Sequence, residues 1–426
     1  MHDGRAADES PEPARGQQQA GHSRSTLPFL LYLAGSVALV FGDSLFEMAV
    51  VWHILQATGS ATIVGGVAAV IQLPVLLTGP FAGVLADRWR RKRLIIWSRA
   101  TRGLVIAVVF VLYWLEALSP WHLLAVGVAD SFIQVLGGAA GSAVVPNLVG
   151  EGRVHKANAW LQGGSQVAPM VAGAVGGLVI AAVGIAGIAG ITSALFLVSG
   201  FLLTVLSDRS FGGGHTTGEH LTPRVFASEF SDGIRWIIRS PALQMLMLTA
   251  LLANLVVAGP IFVLMPIYAA DVLGAGAATY GFLRGSMVAG TLVGLLAAGY
   301  LGGRVRVGVL LVCSVASIGL QFVVLAFTAS FWLSCILWAV VGLALSLINI
   351  PAISAVQLAV PDETRGRVMT AFMALAGGST PASLAAIGPI AENLGVARTY
   401  LVAGSALLLL GGVTWSQRRR FSAIDR

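Results

Sequence analysis

Charge in this chain is confined to short stretches, and the runs between them stay apolar for about 20 residues at a time, the length that crosses the hydrocarbon core of a bilayer as a helix. In that environment every backbone polar group must be satisfied within the protein, so long continuous apolar runs are read as helices. Hydrophobic residues make up 56% of the 426 positions and charged residues 11%. A soluble domain carries about 25% charged residues. The sequence therefore predicts an all-α integral membrane protein.

Twelve spans are expected, at 27–55, 62–86, 94–115, 121–145, 157–183, 187–206, 242–268, 279–301, 307–327, 331–357, 368–391 and 396–415. With both termini placed in the cytoplasm, only Arg284 and Arg398 of the 26 Lys and Arg fall in the outer half of the membrane. That distribution obeys the positive-inside rule and requires an even number of spans. Arg99 and Arg102 are counted here as inner-half charges of the third span. Residues 1–26 read as a disordered cytoplasmic N-terminus, 27–206 as a first six-helix half, and 242–416 as a second. Residues 207–241 form a cytoplasmic linker and 417–426 a basic tail. The N-terminal stretch lacks a basic segment leading into a short apolar one, so no cleaved signal peptide is expected. In the linker, Phe226, Phe230, Ile234 and Ile237 recur at helical spacing, which predicts an amphipathic helix on the inner membrane surface.

The halves repeat. Gly83-x-Leu85-x-x-Arg88-x-Arg90 has a counterpart in Gly299-x-Leu301-x-x-Arg304-x-Arg306. Val145-Pro146 with Gly152-Arg153-Val154 matches Val360-Pro361 with Gly366-Arg367-Val368, at the same offset of about 215 residues. Paired six-helix repeats place a substrate site between the halves near the membrane midplane.

Carboxylates inside spans are expensive and point to function. Asp43 and Glu47 lie four apart on one face of the first span, and Asp130 and Gln134 four apart in the fourth. These residues are candidates for proton coupling or substrate binding; a structural hydrogen bond or a position near the outer surface is the plain alternative. Arg284 is placed as an outer gate or ion-pair partner, or as a cation reaching the outer surface. Pro74, Pro169, Pro260, Pro266, Pro351, Pro381 and Pro389 fall within spans and should bend them. Trp52, Trp121, Trp332 and Trp415 are expected as interface anchors. The cysteines Cys313 and Cys335 are read as buried packing residues.

The loop Gly83-Val84-Leu85-Ala86-Asp87-Arg88-Trp89-Arg90-Arg91-Lys92-Arg93 follows the pattern G-x-x-x-D-R-x-x-R-[KR] and resembles the signature loop of the major facilitator superfamily. Gly42-Asp43-Ser44-Leu45-Phe46, Val145-Pro146-Asn147-Leu148-Val149, Gly176-Gly177 and Val360-Pro361-Asp362-Glu363-Thr364-Arg365-Gly366-Arg367-Val368 look most like its macrolide-efflux and enterobactin (siderophore)-exporter branch. The resemblance implies the twelve-helix fold and a monomeric secondary transporter in a bacterial cytoplasmic membrane. It implies export of a lipophilic or amphiphilic molecule by alternating access in exchange for protons. It also implies an inner gate built from Gly83, Asp87, Arg88, Arg91, Arg365 and Arg367, and a small face on helix five at Gly173, Gly176 and Gly177. The chain departs from the antiporter pattern at Ala172-Gly173, where Gly-Pro is usual, and in lacking an arginine in the fourth span.

Other classes are disfavoured. The cations are dispersed among loops, so nucleic acid is not an expected partner. Lys92 and Lys156 do not follow glycine, so no Walker loop is present. Gly42-Asp43-Ser44-Leu45 matches an esterase nucleophile block, yet no Asp-x-x-His follows and no strand precedes it. His215, Glu219 and His220 lie in a Gly-rich stretch and read as solvated linker. The expected partners are a small molecule, protons and membrane lipid, with no cofactor and no metal. An importer on the same fold, or a membrane sensor, remains the alternative.

Overall fold

A computed structural model describes residues 27–87, 89–142, 144–150, 153–207, 223–301 and 304–417, and all regular structure among them is helical. The elements are α1 (Leu27–Thr58), α2 (Ala61–Asp87), α3 (Arg91–Trp114), α4 (Pro120–Ser142), the short α5 (Val145–Val149) and α6 (Val154–Thr204). Then follow α7 (Pro223–Arg239), α8 (Pro241–Gly259), α9 (Met265–Ile267), α10 (Ala277–Leu301), α11 (Val307–Leu325), α12 (Phe331–Ala359), α13 (Asp362–Leu394) and α14 (Val396–Ser416).

Among the described residues 11 helices are long and apolar enough to cross a membrane. One of them, α6, runs for 51 residues and is broken at Gly184 (φ 62°, ψ −169°). That left-handed conformation is open to glycine and strained for other residues. The break makes two crossings of α6, so the described residues hold the twelve spans expected from sequence. α8 continues through π-helical turns at Pro260–Leu264 and Tyr268–Val272, so the seventh span ends four residues beyond Tyr268. Pro260 and Pro266 remove backbone donors, and the wider turns absorb that loss.

Two groups of helices emerge from the packing. In the first, α6 lies along α1 and α3, and α4 along α2 and α3; in the second, α12 lies along α10 and α11, α14 along α11, and α13 along α8. The groups meet mainly at two seams, α6–α10 and α2–α13. Both seams depend on glycine. A Cβ on Gly173 would stand 2.8 Å from the Gly285 nitrogen, and one on Gly281 2.8 Å from the Gly177 Cα. In the other seam Gly65 faces the Leu384 carbonyl, and a Cβ on Gly388 would stand 2.6 Å from the Thr62 Cα. Small residues let membrane helices approach this closely, and dispersion over the contact holds them. The second group also has an aromatic core: Tyr400 packs edge-on to Tyr268, Phe322 and Trp338 at centroid distances of 5.7, 5.6 and 6.4 Å.

Several sequence expectations are corrected. The fourth span stops at Ser142, and Val145-Pro146 opens the separate helix α5. α13 begins at Asp362, directly after Pro361, so Arg365 and Arg367 stand in a helix and not in a loop. Proline there fixes an extended entry and ends the pairing of α12. Helix α7 forms where expected, but its apolar side faces protein. Ile237 is buried, Phe230, Ile234 and Trp236 pack on the core, and Gly233 lies against the Arg367 carbonyl of α13. Trp52 is not an interface anchor: it is 5% exposed and stacks on Tyr280 of α10 with centroids 6.1 Å apart. Cys313 is exposed and Cys335 half-buried, so the thiols are not both core groups.

Candidate functional site

The first group of helices encloses a cavity of about 950 Å³, counting its open mouth, lined by α1, α2 and α4 and closed on one side by Phe262 and Leu384 of the second group. Its walls are largely apolar, with Phe46, Val50, Ile54, Val64, Val67 and Ile71 facing the space. Asp43, Glu47, Gln72, Asp130, Ser131 and Gln134 supply the polar groups. All four residues proposed from sequence for coupling or substrate therefore line one cavity.

Their helical spacing explains the meeting. Asp43 and Glu47 lie one turn apart on α1, as do Asp130 and Gln134 on α4, so each pair projects from one face. Behind the cavity wall stands Arg102 of α3, 4% exposed. Its Nε donates to Asp130 Oδ1 at 2.8 Å and its Nη2 to Asp130 Oδ2 at 2.9 Å. The same Nη2 donates to Asp43 Oδ1 at 2.5 Å, and Gln134 Nε2 donates to Asp43 Oδ2 at 3.2 Å. The guanidinium also lies 4.6 Å from the centre of the Phe196 ring. A planar guanidinium can hold one carboxylate side-on with two bonds while reaching a second, which a lysine cannot do.

One turn earlier on α3, Arg99 is equally buried and is held by neutral oxygens. Its Nη1 donates to Ser199 Oγ at 2.7 Å, its Nη2 to Ser36 Oγ at 3.1 Å, and the group lies 5.4 Å from the Tyr32 ring. The two arginines were read from sequence only as topology charges. Their position within an apolar run was the available signal, and for Arg102 the carboxylates of two other spans.

Arg284 of α10 reaches across to α1, where its Nη2 donates to Glu47 Oε1 at 2.9 Å. It lies 5.0 Å from the Phe262 ring centre. This ion pair joins the two helix groups at the cavity. The two carboxylates of α1 thus meet different arginines, Asp43 the shared Arg102 and Glu47 the Arg284 of the other helix group. The helix-five glycines divide: Gly173 and Gly177 face α10, while a Cβ on Gly176 would meet Leu45 of α1 at 2.9 Å.

Of the expected inner-gate residues, Arg88 and the side chains of Gly83 and Asp87 lie outside the described residues. Arg91 opens α3 and is partly exposed. Arg365 Nε donates to the Gln357 carbonyl at 2.9 Å, and Arg367 Nη1 stands 3.7 Å from Asp232 Oδ2 of α7. Among the described residues no group of three or more His, Cys, Asp or Glu is arranged to hold a metal.

Comparison with known proteins settles the family. The sequence profile of a major facilitator family described as "transmembrane secretion effector" matches residues 26–425. The chain belongs to this family. It is a membrane transporter of the major facilitator superfamily and not an enzyme. Members similar to it include the multidrug efflux pump Tap of Mycolicibacterium fortuitum, 27% identical over 91% of this chain and 94% of that protein. Macrolide efflux protein A of Streptococcus pyogenes is 25% identical over 90% and 94% of the two chains. The enterobactin exporter EntS of Escherichia coli O1:K1 / APEC is 28% identical over 80% and 81%. Among solved folds, a bacterial homologue of the human lysosomal transporter Spinster superposes with a TM-score of 0.71 at 15% identity, over 95% of this chain and 99% of its own. A bacterial homologue of the iron transporter ferroportin gives 0.69 at 20% identity, over 92% and 98%.

Proposed function

We propose that this secretion effector exports a lipophilic or amphiphilic small molecule from the bacterial cytoplasm by alternating access, in exchange for protons. The observation that carries the proposal is that Asp43 and Asp130 share one guanidinium. Arg102 pairs with both, Glu47 has Arg284, and Arg99 stands one turn from Arg102 on neutral oxygens. Two carboxylates on one guanidinium favour a further cation beside them. A proton and a basic substrate can each supply it, and their competition is what exchange requires. Export by the relatives Tap, macrolide efflux protein A and EntS supports the direction.

Asp43 and Asp130 share Arg102, so protonation of either one leaves the guanidinium fully committed to the other. Asp43 is the more accessible of the two, with its side chain 27% exposed against 14%. Asp43 therefore carries the exchangeable site, and Asp130, held by two bonds, positions Arg102. The apolar walls take the body of the ligand, without many polar groups to demand one shape. Glu47–Arg284 and the two glycine seams close one end of the boundary between the halves. The Arg90–Arg93 cluster marks the other end, which faces the cytoplasm by the positive-inside rule, as do both termini. The twelve helices form a six-plus-six repeat joined by the 207–241 linker, and the chain works as a monomer.

The test is uptake by energised inside-out vesicles of macrolides, siderophores and cationic dyes. Accumulation that stops when the proton gradient is dissipated is the expected result. Accumulation only in right-side-out vesicles contradicts export.

A further inference from the structure

Near the end of α13, Glu392 makes a set of bonds that cross the boundary between the two helix groups. Its Oε1 accepts from Ser60 Oγ at 2.6 Å and from the Thr62 backbone N–H at 3.0 Å, and its Oε2 accepts from Thr62 Oγ1 at 2.6 Å. Ser60 and Thr62 flank Ala61, the first residue of α2. The first N–H groups of a helix have no partners within it and carry partial positive charge. They are usually capped by the residue just ahead. Here Ser60 Oγ takes the Ile63 N–H at 3.2 Å, and a carboxylate from the other helix group takes the Thr62 N–H. α2 is thus capped partly by α13.

This clamp stands at the head of the α2–α13 seam. One turn below it Gly388 lies against Ala61 and Thr62, and beyond that Gly65 lies against Leu384. The seam is held by short-range dispersion over many atoms. The clamp is held by a few directional, charge-assisted bonds, which break when one side chain rotates. Glu392 also borders a second cavity, shared with Leu55, Asp271, Val272, Leu394 and Arg398, whose open volume is about 980 Å³. The released carboxylate therefore enters water, and its release carries no burial penalty.

We infer that Glu392 is the latch that holds α2 to α13 at the end opposite the Arg90–Arg93 cluster, and that the cavity opens at that end only after Glu392 lets go of Ser60 and Thr62. The inference rests on the alternating-access reading above and adds to it a named positioning residue outside the cavity.

The test measures the opening itself, so it needs neither substrate nor protons. Spin labels at Gln56 and Ala397, one in each helix group and both exposed, report the separation across the boundary by pulsed dipolar spectroscopy in lipid nanodiscs. Glu392→Gln removes the charge and one acceptor oxygen. It is expected to raise the population at longer distance about threefold to tenfold over the unmutated protein. Ser60→Ala with Thr62→Val attacks the clamp from the α2 side and is expected to shift the distribution the same way. This second variant keeps the test valid should the first fold poorly. Combining all three changes is expected to do less than the sum, because the variants remove the same bonds. An unchanged distribution in both variants overturns the latch, and so does full additivity. A failed proton-exchange experiment leaves these distances as they are, so the two readings fail separately.

Discussion

Arg102→Leu is the substitution whose consequence follows most directly from the geometry. Arg102 is 4% exposed and donates twice to Asp130, at 2.8 and 2.9 Å, and once to Asp43, at 2.5 Å. Leucine fills a similar volume but leaves two carboxylates in an apolar setting with no cation between them. Breaking a buried ion pair from one side destabilises by about 3–5 kcal/mol, because the partner is stranded without compensation. Water reaches Asp43, whose side chain is 27% exposed, which puts the loss at the lower end, about 3 kcal/mol. The reasoning makes a second, less obvious demand. In Arg102→Leu with Asp43→Asn and Asp130→Asn the stranded charges are gone, so most of the lost stability should return while transport stays absent. Arg102→Lys should fall between, since an ammonium cannot reproduce the two side-on bonds to Asp130. Thermal melting of the purified protein in one detergent at fixed pH and salt, beside transport in vesicles, reads both quantities. A single variant that melts with the unmutated protein, or a triple variant no more stable than the single, refutes the stranded-charge argument.

The seam and the ion pair give further expectations. Gly173→Val should part α6 from α10 and cost about 1–3 kcal/mol by overpacking. Gly163→Ala on the same helix, where nothing lies within 4 Å of the added Cβ, should melt and transport normally; equal behaviour of the two variants contradicts the packing account. Glu47→Arg should impair transport by setting two cations together, and adding Arg284→Glu should restore part of it by rebuilding the pair in reverse. Glu47 is 44% exposed, so the coupling read from the full cycle should be no more than about 1 kcal/mol. A swap that rescues nothing means that the pair is not what these residues contribute.

The fold was legible because its determinants are local. Apolar runs and loop charges place the spans, and the gap between the fifth and sixth falls at Gly184, whose left-handed φ breaks the helix. Helix ends were less legible where tertiary packing sets them: the π-turns after Pro260 and Pro266 prolong the seventh span, and Pro361 starts α13 earlier than its hydropathy does. The carboxylates of the site were found because a charge in a span is conspicuous. Arg284 reads as an ion-pair partner in the same way, whereas Arg102 and Glu392 do not, for two reasons. Arg102 obeyed the positive-inside pattern, so topology alone accounted for it. Glu392 lies near the end of its helix, where a carboxylate is cheap, and its importance comes from Ser60 and Thr62, more than 300 residues away in sequence. Trp52 shows the same limit: a tryptophan near the end of a span reads as an interface anchor until Tyr280 of another helix group is known to cover it.

The measurement closest to the central claim is proton release from inside-out vesicles, followed with a pH-sensitive dye as candidate amphiphiles are added. The unmutated protein is compared with Asp43→Asn, Glu47→Gln and Asp130→Asn. Proton exchange at the Arg102-linked pair predicts that a transported compound collapses the gradient, that Asp43→Asn abolishes this, and that Glu47→Gln preserves it. A compound that is transported equally well by all three variants, with the same proton release, contradicts the claim.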